Sequence, residues 1–152
     1  KDWLTTYAPT VMTADDYEEV KALWMTIKGF GIRSIDDSKE GVERFLKRNP
    51  TTSVVAIEDG KVVGSILCGH DGRRGIIHHM CVHPDYRRQG IARMLVQKAE
   101  DALSREGINK VFGLVFKDND GANNFWEEQG YTLRTNLNYR NKSLNENVTQ
   151  GE

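Results

Sequence analysis

The segment that most constrains the fold is residues 82–92, with the sequence Val-His-Pro-Asp-Tyr-Arg-Arg-Gln-Gly-Ile-Ala. An apolar strand-like run, residues 76–82, stops at a His-Pro-Asp turn, and a long amphipathic helix begins after Gly90. A helix N-terminus presents unpaired backbone N–H groups, and the helix dipole favours negative charge there. Because Gly90 and Ala92 have little or no side chain, a bulky anion can approach the backbone closely. The segment therefore predicts a binding site for phosphate or pyrophosphate.

Two helices are predicted in the N-terminal third of the chain. A short strand is expected around residues 9–12, and Thr13 is the predicted N-cap of a helix that ends at Gly29 and Gly31. Ser38 is the predicted N-cap of a second helix. The apolar faces of the two helices are formed by Tyr17, Val20, Leu23, Trp24, Ile27, Val42, Phe45 and Leu46.

From residue 52 the pattern changes to the alternation that is typical of strands. Residues 53–57 and 62–68 flank an Asp59-Gly60 pair, which favours a β-hairpin with a type I′ turn. A second turn, residues 71–75, leads into the strand that precedes the predicted phosphate site.

The C-terminal half predicts alternating helices and strands. The helix after the phosphate segment ends at Gly107 and is followed by a strand over residues 110–116, a helix over 119–129 and a last strand over 131–139. The order β-α-α-β-β-β-α-β-α-β predicts an α/β fold in which helices flank a mixed sheet. Residues 140–152 form a polar tail that we expect to be mobile.

Composition favours a single domain, residues 1–139, within a chain of 152 residues. The net charge is −1, so we expect neither nucleic acid nor a membrane as partner. Cys68 and Cys81 lie in apolar runs without metal-ligand spacing, which predicts two buried free thiols, no metal and a cytoplasmic location. No membrane span or signal peptide is predicted. The chain begins with Lys1 rather than Met, which leaves open whether residues 1–9 are native.

These elements resemble the GNAT superfamily of N-acetyltransferases, whose acetyl-CoA signature is Arg/Gln-x-x-Gly-x-Gly/Ala. Here the signature corresponds to residues 87–92. The resemblance in element order covers residues 10–139, is densest over residues 64–130, and is closest to the YpeA-like bacterial branch. It implies a mostly antiparallel sheet that splays at the cofactor site. It also implies acetyl transfer from acetyl-CoA to a primary amine of a small molecule or protein, by a monomer or homodimer.

The resemblance further implies how acetyl-CoA lies. In the family, the pantetheine arm pairs as an added strand with the end of the strand before the signature. Alternate residues direct their backbone groups to the same strand edge, so Met80 and Val82 are expected to bind the arm, with Cys81 between them. The pyrophosphate is expected on the N–H groups of residues 88–92. The other implied cofactor-binding residues are Arg87, Arg88, Gln89, Gly90, Ile91, Ala92, Arg93, Asn119 and Trp126.

Two positions that serve proton transfer in the family differ in this chain. Trp126 stands where many members have a tyrosine that protonates the departing CoA thiolate, and an indole N–H is far too weak an acid for this. Leu114 stands where some relatives have a glutamate base. These departures support an alternative hypothesis, an acyl-CoA-binding module without catalysis. A dinucleotide-binding domain is a weaker hypothesis, since the Gly-x-Gly-x-x-Gly spacing is missing.

Two adjacent histidines are candidates for the base that removes a proton from the amine. Only one can face the cleft, because side chains alternate along a strand, and His78 is expected to share a face with Met80 and Val82. Some family members have a functional histidine at this place. His79 is a second candidate. The alternatives are that carbonyl groups bind both imidazoles while water takes the proton, or that Cys81 accepts the acyl group.

Two exposed segments are candidates for contacting the acceptor. Arg73 and Arg74 in the turn of residues 71–75 either bind an acidic group of the acceptor or form a solvated hairpin tip. The loop over residues 28–38 is where the family varies to fit acceptors, and Phe30 and Ile32 predict a partly apolar wall there.

Overall fold

The structure, a computed structural model of the chain, describes residues 7–152. Residues 1–6, which belong to the segment whose native origin is open, lie outside the described residues. The elements are, in chain order, β1 Thr10–Val11, α1 Tyr17–Trp24, α2 Lys39–Arg48, β2 Val54–Glu58, β3 Lys61–His70, β4 Gly75–Val82, α3 Ile91–Arg105, β5 Val111–Gly113 and α4 Asp120–Glu128. Short 3-10 turns, Ala14–Asp16 and Pro84–Tyr86, precede α1 and α3.

The five strands form one sheet in the order β1-β2-β3-β4-β5. The first four strands are antiparallel to their neighbours, and β5 is parallel to β4. β5 pairs only with the first three residues of β4, from Gly75 opposite Val111 to Ile77 opposite Gly113. The mixed α/β architecture and the mostly antiparallel sheet are confirmed, and the sheet splays where β5 leaves β4.

Each face of the sheet is covered by a separate apolar cluster. On one face, α3 buries Ile91, Leu95 and Leu103 against residues of β2, β3 and β4, which together we call the α3 cluster. On the other face, α1 and α2 bury Trp24 and Leu46, among others, against the same strands. Two-sided cover is what holds a small sheet of this size in place, because burial of apolar area is the main stabilising term.

Several local predictions are confirmed. The Ser38 hydroxyl accepts a hydrogen bond from the Gly41 N–H and so caps α2. Asp59 and Gly60 have φ of 50° and 77°, as a type I′ turn requires. One boundary differs, because α1 ends at Trp24. Residues 25–38, which we call the α1–α2 loop, then connect α1 to α2.

The last predicted strand, residues 131–139, is wrong. Among the described residues, this segment pairs with no strand, and its apolar side chains Leu133, Leu137 and Tyr139 are exposed. The physical reason is that β5 ends at Gly113 rather than at residue 116, which leaves too short an edge for a ladder. The mobility of the tail stays a prediction; its last residue, Glu152, accepts hydrogen bonds from the backbone and hydroxyl of Ser34.

Candidate active site

The turn before α3, residues 87–92, which we call the phosphate loop, contains two left-handed residues. Arg88 has φ of 61° and Gly90 has φ of 81°. Such turns direct successive N–H groups to one side and form a concave anion site. Gly90 is the N-cap of α3, no side chain caps this end, and the first turn contains no acidic residue. The N–H groups and the dipole of α3 are therefore available to an anion.

Ile91 and Gln89 anchor the phosphate loop to the core, and three arginines near the loop supply positive charge. Ile91 is buried in the α3 cluster, and the Gln89 amide oxygen accepts a hydrogen bond from the hydroxyl of buried Tyr7. Arg87, Arg88 and Arg93 are exposed on this part of the surface. The contact of Gln89 with the cofactor stays a prediction.

The backbone of β4 has an open edge beside the phosphate loop. The His83 N–H donates to the Val63 carbonyl oxygen at 2.8 Å, and the register pairs Ser65 with Cys81. Since antiparallel pairs alternate, the N–H and C=O of Cys81 face β3, while those of Met80 and Val82 face the opposite side. In the described part of the chain, β5 has already ended there, so the polar groups of Met80 and Val82 lie on an uncovered edge.

Asn119 and Trp126 both have structural contacts. The Asn119 side-chain oxygen accepts a hydrogen bond from the Ala122 N–H and caps α4. The Trp126 ring packs against Phe125 and Tyr131, with centroids 5.1 and 4.8 Å apart, and joins the α3 cluster. The contact of these two residues with a cofactor stays a prediction, and the indole supplies packing rather than an acidic proton.

The prediction that His78 shares a face with Met80 and Val82 is wrong. The register of β3 and β4 skips His78 through a β-bulge, which reverses the alternation. Its ring meets Phe45 of α2 edge-on at 5.3 Å, whereas Met80 and Val82 pack on the α3 side. Partial burial lowers the pKa of the His78 imidazole below its usual value, and the neighbouring His79 lowers it further. Its role as a base stays a prediction.

His79 belongs to a buried pair that the sequence did not reveal. Its Nε2 lies 2.8 Å from Oδ2 of Asp37, and both side chains are buried. The rings of Trp24 and Phe30 flank the imidazole, with centroids 4.9 and 4.8 Å away. Asp37 lies 42 positions before His79, in the α1–α2 loop. No local pattern pairs residues so far apart, and Asp37 itself resembles an ordinary residue before a helix cap.

The two cysteines are free and buried, as predicted. Burial raises the pKa of the Cys81 thiol to about 11 and that of Cys68 to about 12. The Cys81 sulfur lies 3.7 Å from the Ser65 hydroxyl oxygen. Because the thiolate is the nucleophilic form, Cys81 is poorly suited to accept an acyl group.

Arg73 and Arg74 are not brought to this site. They are exposed in the turn between β3 and β4, where the Asp71 carboxylate accepts hydrogen bonds from both of their N–H groups. This turn is at the end of β4 opposite to Met80 and Val82. Among residues 7–152 there is no group of three or more side chains placed to hold a metal ion. Within the same residues, no helix has the length and apolar character needed to cross a membrane.

Known proteins that are similar in sequence identify the family of this chain. The model described as "Acetyltransferase (GNAT) family" matches residues 17–131. The chain belongs to this family. An acetyltransferase of Sodalis glossinidius (strain morsitans) is 37% identical to this GNAT chain over 127 residues, which are 84% of the chain and 88% of that protein. An acetyltransferase of Yersinia pestis (strain Pestoides F) is 36% identical over 127 residues, covering 84% and 89%.

A solved structure of low identity supports the GNAT fold. The PaiA N-acetyltransferase from Thermoplasma acidophilum, in complex with coenzyme A, aligns with a TM-score of 0.71 at 17% identity, over 83% of this chain and 89% of that chain. As a member of the GNAT family, the chain is an N-acetyltransferase that uses acetyl-CoA. The comparisons contain nothing that supports the hypothesis of a binding module without catalysis.

Proposed function

We propose that this GNAT enzyme transfers the acetyl group of acetyl-CoA to a primary amine by direct attack of the amine on the thioester. The observation that carries the proposal is the continuity of the open β4 edge with the phosphate loop. Val82 ends β4, and only the short turn Pro84–Tyr86 separates it from the phosphate loop. A cofactor that has an amide-containing arm and a pyrophosphate fits the open β4 edge followed by the N–H groups of the phosphate loop.

In this arrangement, Met80 and Val82 form backbone hydrogen bonds with the pantetheine arm, as a short added strand. The pyrophosphate lies on the N–H groups of residues 88–92, where the helix dipole favours negative charge. Arg87 and Arg93 provide compensating charge at the rim. The available N-cap position of α3 and the absence of acidic residues in its first turn support this fit.

Direct attack is favoured over an acyl-enzyme because Cys81 lies buried as a thiol. The acceptor amine is supplied by a small molecule or by a protein. Its ammonium form loses one proton, the nitrogen forms a bond with the carbonyl carbon, and a second proton leaves the nitrogen as the C–S bond breaks with its electron pair on sulfur. The CoA thiolate takes a proton from water, since Trp126 cannot supply one. The reaction needs no metal ion, and the two free thiols support a reducing, cytoplasmic location.

The proposal is tested by measuring CoA release with a thiol reagent across a panel of small amines, amino-acid amides and peptides. We expect at least one amine to accelerate CoA release and to gain the mass of one acetyl group. Varying both substrates is expected to give the intersecting pattern of a ternary complex, whereas an acyl-enzyme gives the parallel pattern of ping-pong kinetics. Acetyl-pantetheine, which lacks the pyrophosphate, serves as the matched control and is expected to need a much higher concentration. Acetyl-CoA binding by calorimetry without turnover of any amine would contradict the proposal.

A further inference from the structure

We propose that Asp37 and His79 are the proton-transfer pair of this enzyme, an inference that rests on the proposed function. Nδ1 of His79 takes the proton from the ammonium form of the acceptor. Asp37 is a positioning residue that fixes the tautomer and orientation of the imidazole. The sequence suggested a histidine base on β4, but it favoured the neighbouring His78 and gave no role to Asp37.

The hydrogen bond between the two side chains determines which imidazole nitrogen is basic. An ionised carboxylate only accepts hydrogen bonds, so Nε2 of His79 donates its proton to Oδ2 of Asp37 at 2.8 Å. The lone pair is then on Nδ1. This atom is bonded to Cγ and therefore lies nearer to the β4 backbone than Nε2 does. The basic nitrogen therefore lies on the face of β4 that α1 and the α1–α2 loop cover, one residue before Met80.

Asp37 is itself fixed in place from two sides. Its Oδ2 accepts a second hydrogen bond from the Arg33 backbone N–H at 2.5 Å, and the Tyr17 hydroxyl donates to its carbonyl oxygen at 2.7 Å. Burying a charged or polar pair costs desolvation energy, and well-packed apolar residues commonly serve stability as well or better. A buried, fully oriented Asp–His pair at the proposed site is therefore better explained by chemistry than by stability.

The rings of Trp24 and Phe30 flank the pair, and the indole N–H of Trp24 is a further polar group near it. Phe30, the outer ring, is half-buried on the α1–α2 loop, while Trp24 lies beneath in the core. The indole N–H of Trp24 is buried and has no hydrogen-bond partner among the described residues. Buried donors are nearly always paired, so this unused N–H next to His79 indicates that a ligand or water completes the site.

The other ionisable groups near the pair come from α1, the α1–α2 loop and β4. They are Tyr17, Arg33, Asp36, His78 and Cys81. Burial raises the pKa of Tyr17 and that of Cys81, so both stay neutral over the working range. Burial and the neighbouring His79 lower the pKa of His78, and His78 is the neighbour whose effect must be separated from that of His79 by experiment.

The proton balance of the step is complete. The acceptor ammonium gives one proton to Nδ1, and the neutral amine nitrogen then attacks the carbonyl carbon. The tetrahedral intermediate loses a second proton from nitrogen to water as the C–S bond breaks, and the thiolate takes a proton from water. The imidazolium releases its proton to solvent, so that each turnover yields acetylated amine, CoA thiol and one proton.

The experiment compares the pH dependence of kcat/KM for the amine in wild type, His79→Gln and Asp37→Asn. The kcat/KM of the wild type is expected to rise with pH until the base is in its neutral form. His79→Gln is expected to lose about 100-fold near neutral pH, as is typical when a general base is removed. It is also expected to lose the inflection that the imidazole produces, so that its kcat/KM keeps rising until the amine itself is deprotonated. Asp37→Asn is expected to lose at least about tenfold, since it no longer favours the reactive tautomer. The Kd for acetyl-CoA is expected to be unchanged in both variants.

Three further measurements exclude a purely structural role. His70→Gln removes a histidine–carboxylate contact at the far end of β3, with Glu106 at 3.0 Å, and is the matched control, expected to keep the wild-type profile. Added imidazole is expected to restore part of the activity of His79→Gly. The pH profile of His78→Gln is expected to keep the wild-type inflection.

Two results would overturn the assignment of Asp37 and His79 as the proton-transfer pair. A uniform loss in His79→Gln with an unchanged pH profile and no rescue by imidazole would overturn it, as would loss of the pH dependence in His78→Gln alone. Both of these results leave the proposed function intact. Absence of turnover in the wild type with every amine would overturn the proposed function and the inference together.

Discussion

The two ends of α3 differ in the hydrogen bonds that their backbone and side-chain groups form. Gly107 after the C-terminus and Gly90 at the N-terminus have the same left-handed φ of 81°. At the C-terminal end, the Glu106 carboxylate accepts hydrogen bonds from Thr51 and His70. At the N-terminal end, no side chain caps the helix, and Arg88 adopts an unfavourable left-handed conformation. Unused N–H groups and strain occur together at the end where an anion is expected.

β4 shows the same contrast along its length. Its first residues, Gly75 to Ile77, are covered by β5, whereas Met80 and Val82 turn their backbone groups to an uncovered edge. The two histidine–carboxylate contacts follow this division. His70 and Glu106 form a partly exposed contact at the covered end, while His79 and Asp37 form a buried contact toward the open end. Similar local chemistry therefore forms a structural contact at the covered end of β4 and a buried pair beside the proposed site at the open end.

The sharpest test of this comparison replaces the two glycines of equal φ. Gly90→Val is expected to weaken acetyl-CoA binding by roughly 100-fold, because two hydrogen bonds to a charged group, of about 1.5 kcal/mol each, are lost when the loop shifts. Gly107→Val has the same backbone strain, of about 1–2 kcal/mol, at the other end of the helix. It is expected to lower the free energy of unfolding and to leave the Kd unchanged. Calorimetry and urea denaturation measure the two effects.

Equal Kd values for the two glycine variants would contradict the comparison. They would mean that the phosphate loop has no special part in cofactor binding and that strain alone weakens the enzyme.

The open β4 edge is tested by removing single N–H groups with proline. Met80→Pro removes an N–H that faces the uncovered side, so it is expected to bind acetyl-CoA about tenfold more weakly than Met80→Ala, which controls for the lost side chain. Cys81→Pro removes an N–H that pairs with β3 and is expected to destabilise the fold more than Met80→Pro does. If Met80→Pro and Met80→Ala bind equally well, the strand-like arm is not bound there.

Most of the fold was predictable because its signals are local. Ser38 as a cap, Asp59-Gly60 as a turn and Gly107 as a helix end each follow from the backbone preference of one or two residues. The last strand was not predictable, although residues 131–139 alternate as a strand does. A strand also needs a partner edge, and the early end of β5 at Gly113 is a tertiary property that alternation does not encode.

The site was predictable to the extent that it consists of backbone. The phosphate loop and the orientation of Met80 and Val82 follow from the junction of a strand and a helix. The face of His78 was mistaken because the sequence gives no sign of the β-bulge that skips it. Asp37 was missed because its contact with His79 joins a loop to a strand across 42 positions.

The smallest expected effect concerns Glu106 at the satisfied end of α3. Its hydrogen bond from Thr51, followed by that from His70, lowers the pKa of this carboxyl below its usual value. A carboxyl with a lowered pKa stabilises the fold above the pKa of the unfolded chain, about 4.3, and this contribution is lost as the pH falls through the folded pKa. Glu106 is exposed, so Glu106→Gln is expected to lower the free energy of unfolding at neutral pH by less than about 1 kcal/mol. Urea denaturation should show that the difference from wild type disappears in acid, while the Kd for acetyl-CoA stays the same. A raised Kd would mean that part of the cofactor site lies at the C-terminal end of α3, where the Glu106 carboxylate already accepts hydrogen bonds from Thr51 and His70.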